Sequence, residues 1–109
     1  MELYEEYIKI EEGYDCLSTD NAFCAYSVTG DEFFVAHCYV RNRKEGQSKV
    51  FFDQVSEKAR ELGAKYMTGN VDISEYNRDN YTHKLMTMVR YGFEIIAVNT
   101  NRVTIYKDL

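Results

Sequence analysis

Arg43-Lys44-Glu45-Gly46-Gln47-Ser48 lies between the apolar run Phe33-Phe34-Val35-Ala36-His37-Cys38-Tyr39-Val40 and the segment 49–63, and these six residues decide how the chain folds. The run before them is rich in aromatic and β-branched residues, as strands are, and its near-continuous apolarity suits a central strand buried on both faces. Beyond them the hydrophobic period changes from two to 3.6. Phe52, Val55, Ala59 and Leu62 form one stripe with Phe51 beside it, while Glu57, Lys58, Arg60 and Glu61 fall mostly off it. Ser48 is placed to cap this helix and Gly63 to stop it. A strand that runs into a basic, glycine-containing loop opening a helix forms a receptor for an anion. The first helical amides have no acceptor within the helix, and the helix dipole adds positive potential there. Gly46 lets a ligand approach the backbone closely, and Arg43 and Lys44 can add charge-assisted contacts.

On the N-terminal side, Thr29-Gly30-Asp31-Glu32 reads as a hairpin turn joining a strand at Asn21–Thr29 to the strand Phe33–Val40. Tyr4–Ile10 has strand character, with Tyr7, Ile8 and Ile10 set among charges. On the C-terminal side, Lys65–Ile73 is a strand with Met67, Val71 and Ile73 on one face. A polar loop, Ser74–Asp79, then leads to a second helix from about Asn80 to Tyr91. Tyr81, Leu85, Met88 and Val89 are its apolar stripe, and Gly92 ends it. Phe93–Val98 and Val103–Tyr106 close the chain as a hairpin around Asn99–Arg102. This order predicts an α/β domain with a mixed central sheet and helices on both faces. The unit from 33 to 73 should be a right-handed crossover between parallel strands.

With 109 residues the chain supports one hydrophobic core, hence a single domain over 1–109. The net charge of −5 is unevenly spread. The first twenty residues carry Glu2, Glu5, Glu6, Glu11, Glu12, Asp15 and Asp20 against Lys9 alone, whereas Arg41, Arg43, Lys44 and Lys49 cluster around the loop. An acidic protein with one basic patch is not a general nucleic-acid binder, and the patch suits a small anion. No stretch approaches the length of a membrane span, and the acidic N-terminus argues against a leader, so a cytoplasmic protein is expected. Cys16, Cys24 and Cys38 are odd in number, so reduced and mostly buried thiols are expected rather than a disulfide framework. They and the two histidines lack the spacing of a metal site.

The hexapeptide Arg43–Ser48 resembles the Gln/Arg-x-x-Gly-x-Gly/Ala loop of the GNAT superfamily of acyl-coenzyme A N-acyltransferases. The order around it is similar too. A helix ends at Glu61-Leu62-Gly63-Ala64, a strand and a polar loop follow, and a second helix ends in Tyr91-Gly92-Phe93-Glu94 before a final strand pair. The resemblance covers about residues 22–109, the cofactor half of such a domain, and the shortness and composition resemble those of small bacteriophage GNAT-like proteins. It implies that amides and side chains of Arg43, Lys44, Gly46, Gln47 and Ser48 hold a pyrophosphate. It also implies that the backbone of Tyr39 and Val40 pairs with the pantetheine arm of acetyl-coenzyme A, where the strands 33–40 and 65–73 diverge.

The chain departs from the family in three places. Ser48 replaces Gly or Ala. Met88 stands where the family often has a proton-donating Tyr. Residues 11–21 are too few for the two helices that usually wall the acceptor site. A homodimer pairing edge strands is one way to rebuild that wall.

Each candidate has a plainer reading. His37 is either a base near the thioester or a satisfied core or edge histidine. Tyr81 or Tyr76 can stand in for the missing proton donor or simply pack. Asn80 caps a helix or touches ligand, and Asp72 can orient a water. Glu32 is expected to face solvent. Cys38 is a nucleophile only if exposed and acidified. The expected activity is transfer of an acetyl group to an amine of a small molecule or protein. The alternatives are a non-catalytic GNAT-like protein, phage-encoded, that binds a host or virion protein, and an acidic inhibitor that imitates nucleic acid.

Overall fold

A computed structural model of the chain describes residues 2–41, 47–72 and 85–109. The chain opens with α1 (Glu2–Tyr7), which continues into a π-helical turn, Ile8–Glu12. Strands β1 (Asp15–Ser18), β2 (Ala22–Thr29) and β3 (Glu32–Val40) follow as an antiparallel meander. Helix α2 (Gln47–Glu61) leads to β4 (Tyr66–Asp72), which pairs in parallel with β3. A helix α3 at residues 85–90 precedes β5 (Glu94–Val98) and β6 (Arg102–Asp108). The six strands form one mixed sheet in the order β1-β2-β3-β4-β6-β5.

Local chemistry explains most boundaries. Gly30 has a positive φ and opens a two-residue turn, so Thr29 and Glu32 face each other across the β2–β3 hairpin. Both α2 and α3 end in one motif. Gly63 takes φ 84°, its N–H reaches Arg60 O at 3.0 Å, and Ala64 N–H reaches Ala59 O at 3.0 Å. Gly92, at φ 96°, repeats this with Val89 O and Phe93 with Met88 O, each at 3.0 Å. These are Schellman closures, in which the left-handed glycine turns the chain out and the next residue drops an apolar side chain onto the core. Ala64 and Phe93 are both buried. At the last turn, Asn99 Oδ1 accepts from the N–H groups of Asn101 and Arg102 and so holds the β5–β6 hairpin.

One face of the sheet carries the core. Ala22, Cys24, Phe33, Val40, Met67, Val71, Val103 and Ile105 pack there against Phe51, Val55 and Ala59 of α2, and Leu85 and Met88 of α3 pack against the same cluster. The Phe52 and Tyr91 rings lie 5.3 Å apart. The two crossover helices therefore share a face, and the helices expected on both faces are completed by the N-terminal one on the other side. Topology explains this. The steps β3→β4 and β4→β5 join parallel strands in the same direction across the sheet, so right-handed crossovers put both helices on one side.

The opposite face is covered in part by the N-terminal segment. Glu5 accepts a hydrogen bond from Ser18, Glu12 meets His37, and the Tyr14 ring lies 6.5 Å from that of Phe34. The strand expected at Tyr4–Ile10 is thus helical. Leu3, Tyr7 and Ile10 have the i, i+4, i+7 spacing of a helix, but all three are exposed, Leu3 by 82%, so no buried stripe marked them as one. Leu62, expected in the α2 stripe, is 44% exposed at the helix end, and Ser56 is buried in that stripe instead, its hydroxyl 3.7 Å from Met67 Sδ. The outer part of the α3 stripe is likewise open, with Val89 51% exposed.

Candidate functional site

The strands that matter most are β3 and β4, because they do not stay together. Their parallel register runs Glu32↔Tyr66, Phe33↔Met67, Phe34↔Thr68 and Val35↔Gly69 and then ends, although β3 continues to Val40 and β4 to Asp72. The parting begins where the β2–β3 register shifts. Ala25 faces His37 while Tyr26 faces Val35, which leaves Ala36 as an extra residue in β3. A bulge of this kind bends its strand and sharpens its twist, which turns the end of β3 away from β4.

Parity shows which backbone groups face the resulting gap. Arg41 N–H donates to Asn21 O at 2.6 Å, a hydrogen bond between residues directly opposite in the β2–β3 register. In an antiparallel pair such hydrogen-bonded positions alternate, so Tyr39 and His37 also turn their amides and carbonyls toward β2. Cys38 and Val40 then turn theirs the other way, toward the gap. Of the two residues expected to meet a pantetheine arm, Val40 has the right orientation, whereas the backbone of Tyr39 is engaged with β2. Its ring is 53% exposed beside Phe23, at 6.3 Å between centroids. From sequence Cys38 is weighed only as a nucleophile, not as a backbone partner at the gap. Only the parity of the ladder, set by the bulge, brings it in.

Helix α2 starts at Gln47, so Ser48 lies in its first turn rather than at the cap. Among the described residues the helix carries no acidic residue in that turn, so none there offsets the positive end of its dipole. Arg43, Lys44 and Gly46 lie outside the described residues, as do Tyr76, Asn80 and Tyr81 and the side chains of Gln47 and Asp72. Met88 packs against the core, as its place in the stripe predicted.

His37 stands just past Val35, where β3 leaves β4, and its side chain projects on the face away from α2. Its Nε2 lies 3.0 Å from Glu12 Oε2, with both side chains part-exposed, and its ring meets Tyr14 edge-on at 6.2 Å. Glu12 is supplied by the N-terminal turn, twenty-five residues earlier. Nothing in the sequence marked that partner. Glu32 does not simply face solvent. It is half-buried, and its Oε2 accepts the Thr68 hydroxyl at 2.7 Å across the β3–β4 ladder.

A second concavity, an open groove of about 590 Å³, lies on the outer side of α2 between Leu17, Val50, Asp53, Glu57 and Glu61. Its carboxylates make it a poor receptor for an anion. The gap beside β3 and the start of α2 are the better candidates.

Solved structures share this arrangement. A GNAT family acetyltransferase from Elizabethkingia anophelis, with acetyl-CoA bound, superposes with a TM-score of 0.69 at 15% identity, covering 99% of this chain and 82% of that one. PaiA N-acetyltransferase from Thermoplasma acidophilum, in complex with coenzyme A, gives 0.65 at 12% identity, over 98% of this chain and 69% of that one. The fold is that of the GNAT acetyltransferases. Nourseothricin acetyltransferase also superposes, with a TM-score of 0.68 at 17% identity over 81% of this chain, but the match spans only 57% of that longer protein. Neither a protein-family model nor a curated protein matches the sequence, so the likeness lies in the fold alone. Within the GNAT fold, the β3–β4 parting and the start of α2 are the elements that the resemblance of Arg43–Ser48 had assigned to the acyl donor. Among the described residues no helix is long and apolar enough to cross a membrane.

Proposed function

We propose that this chain is an N-acyltransferase that moves an acetyl group from acetyl-coenzyme A to an amine of a small molecule or protein. The observation that carries the reading is the parting of β3 from β4 beyond Val35 and Gly69, directly upstream of a helix whose first turn lacks a counter-charge. The pantetheine amides pair with the backbone groups of Val40 that face the gap, as an added strand would. The pyrophosphate sits on the amides from Arg43 to Ser48, with the Arg43 and Lys44 cations against it.

The amine attacks the thioester carbon, the carbonyl oxygen becomes an oxyanion, and the carbon–sulfur bond then breaks to release coenzyme A. The protein's contribution is to hold the two reactants together and to stabilise that oxyanion. His37 takes the proton of the attacking ammonium, and Glu12 orients its imidazole. Tyr81 returns a proton to the departing thiolate in place of the tyrosine that Met88 replaces.

Acetyl-coenzyme A should raise the melting temperature of the protein, and Gly46→Glu should abolish the rise by placing a side chain and a negative charge in the anion's seat. No shift at millimolar ligand would refute the cofactor reading. A second reading, a phage-encoded GNAT-like protein that binds a host or virion protein without turnover, draws on the open face of β4 and β6, where Asn70 and Asp108 are exposed and Thr104 is half-buried. Release of free thiol from acetyl-coenzyme A with polyamine, amino-acid or protein amines separates the two.

A further inference from the structure

Two of the three cysteines face each other directly across the β2–β3 ladder, Cys24 opposite Cys38. The parity that turns the Cys38 backbone toward the gap makes this a non-hydrogen-bonded pair, the closer of the two kinds in an antiparallel sheet, with Cα atoms about 4.5 Å apart. That spacing falls at the short end of what a disulfide spans. The side chains point to the same face, close enough for the Cys38 thiol to raise the pKa of Cys24. Cys24 is fully buried, whereas Cys38 is partly exposed. Cys16 lies opposite Ala25, and so projects on the other face of the sheet.

We infer that Cys24 and Cys38 form a reversible cross-strand disulfide when the protein meets a low-molecular-weight disulfide such as oxidised glutathione. Cys38, the less buried of the two, reacts first. Its thiolate attacks one sulfur of the glutathione disulfide, a Cys38–glutathione bond forms, the glutathione disulfide bond breaks, and one glutathione leaves with the proton that Cys38 gave up. The Cys24 sulfur then attacks the Cys38 sulfur and expels the second glutathione with the proton from Cys24. Two protein thiols are oxidised and one disulfide is reduced to two thiols, so the exchange balances. The neighbouring Cys38 and burial hold the Cys24 thiol protonated, which makes this second step the slow one. A bond at the short end of the permitted span is strained and readily reduced again, which suits a reversible mark rather than a structural staple. The inference concerns the thiols alone and stands whether or not the gap beside β3 takes an acyl-coenzyme A.

The test is mass spectrometry of the folded full-length chain after equilibration with oxidised glutathione, with a parallel sample in denaturant. The native protein should lose two hydrogens, and its digest should contain the Cys24 and Cys38 peptides linked. Cys16→Ser should leave that link intact, Cys38→Ser should abolish it, and Cys24→Ala should stop the reaction at a glutathione adduct on Cys38. The denatured sample should scatter links among all three cysteines. Cys24 and Cys38 remaining reduced in the native protein, or any native link or adduct centred on Cys16 instead, overturns the inference.

Discussion

Met67 and His37 mark the two ways in which single residues serve this molecule. Met67 is fully buried on β4, under α2 and beside the Ser56 hydroxyl, where alternation along Lys65–Ile73 had placed it. Truncating it leaves a cavity that the sheet cannot close, so Met67→Ala should cost about 2–5 kcal/mol in urea unfolding. A loss below 1 kcal/mol would mean that the core is less tightly packed around β4 than the burial implies. His37 is different, because its neighbours are remote in sequence. Alternation could show that it shares a strand with Cys38, but Glu12 and Tyr14 reach it only through the N-terminal turn. If it accepts the amine's proton, His37→Ala should lower kcat roughly 10²–10⁴-fold while leaving the affinity for acetyl-coenzyme A unchanged. An unaltered kcat would remove His37 from the mechanism without touching the binding site.

Among the elements, the two helices that follow β3 and β4 are stopped by the same device. Gly63 and Gly92 each hold a positive φ that an L side chain adopts only at a cost. A Cβ at Gly63 would meet nothing within 4 Å, so the penalty of Gly63→Ala is conformational rather than steric. It should be about 1–2 kcal/mol by thermal unfolding. A neutral substitution would mean that the α2 terminus rearranges without cost. These stops were legible because glycine after a 3.6-residue stripe has a single economical reading.

The N-terminal segment was not legible, because Leu3, Tyr7 and Ile10 stay in solvent and its contacts, Glu5 to Ser18, Glu12 to His37 and Tyr14 to Phe34, reach residues distant in sequence. Strand β1 was missed for a related reason. Four residues, Asp15–Ser18, with one core-facing leucine between polar neighbours, carry no period to detect. The β3–β4 parting was anticipated only through the family likeness. The bulge that produces it arises from register, which Ala36 does not announce.

At the scale of the whole molecule, crossover handedness puts α2 and α3 on one face of the sheet and leaves the other to the N-terminal helix, so helices lie on both faces as the sequence predicts. The buried groups also set a pH dependence. The Cys24 thiol is pushed above its ordinary 9.0 by the neighbouring Cys38 and by burial, and the Tyr26 phenol is pushed above its ordinary 10.0 chiefly by burial. The folded chain therefore keeps protons that the unfolded chain has released, so it binds more protons above those values and its stability falls as pH rises. Urea midpoints should be level below about pH 9 and decline above it, with a shallower decline in Cys24→Ser. A flat profile into the alkaline range would show that these groups are not shielded as the fold implies.

The central claim, that the gap beside β3 and the start of α2 hold an acyl-coenzyme A, is tested most directly by titrating acetyl-coenzyme A into isotope-labelled protein and following the backbone amide resonances. Saturable shifts are expected at Cys38, Val40, Gln47 and Ser48, with the amides of β1 and the outer turns of α2 unmoved. Shifts centred on Leu17, Asp53 and Glu57, or none at millimolar ligand, would contradict it.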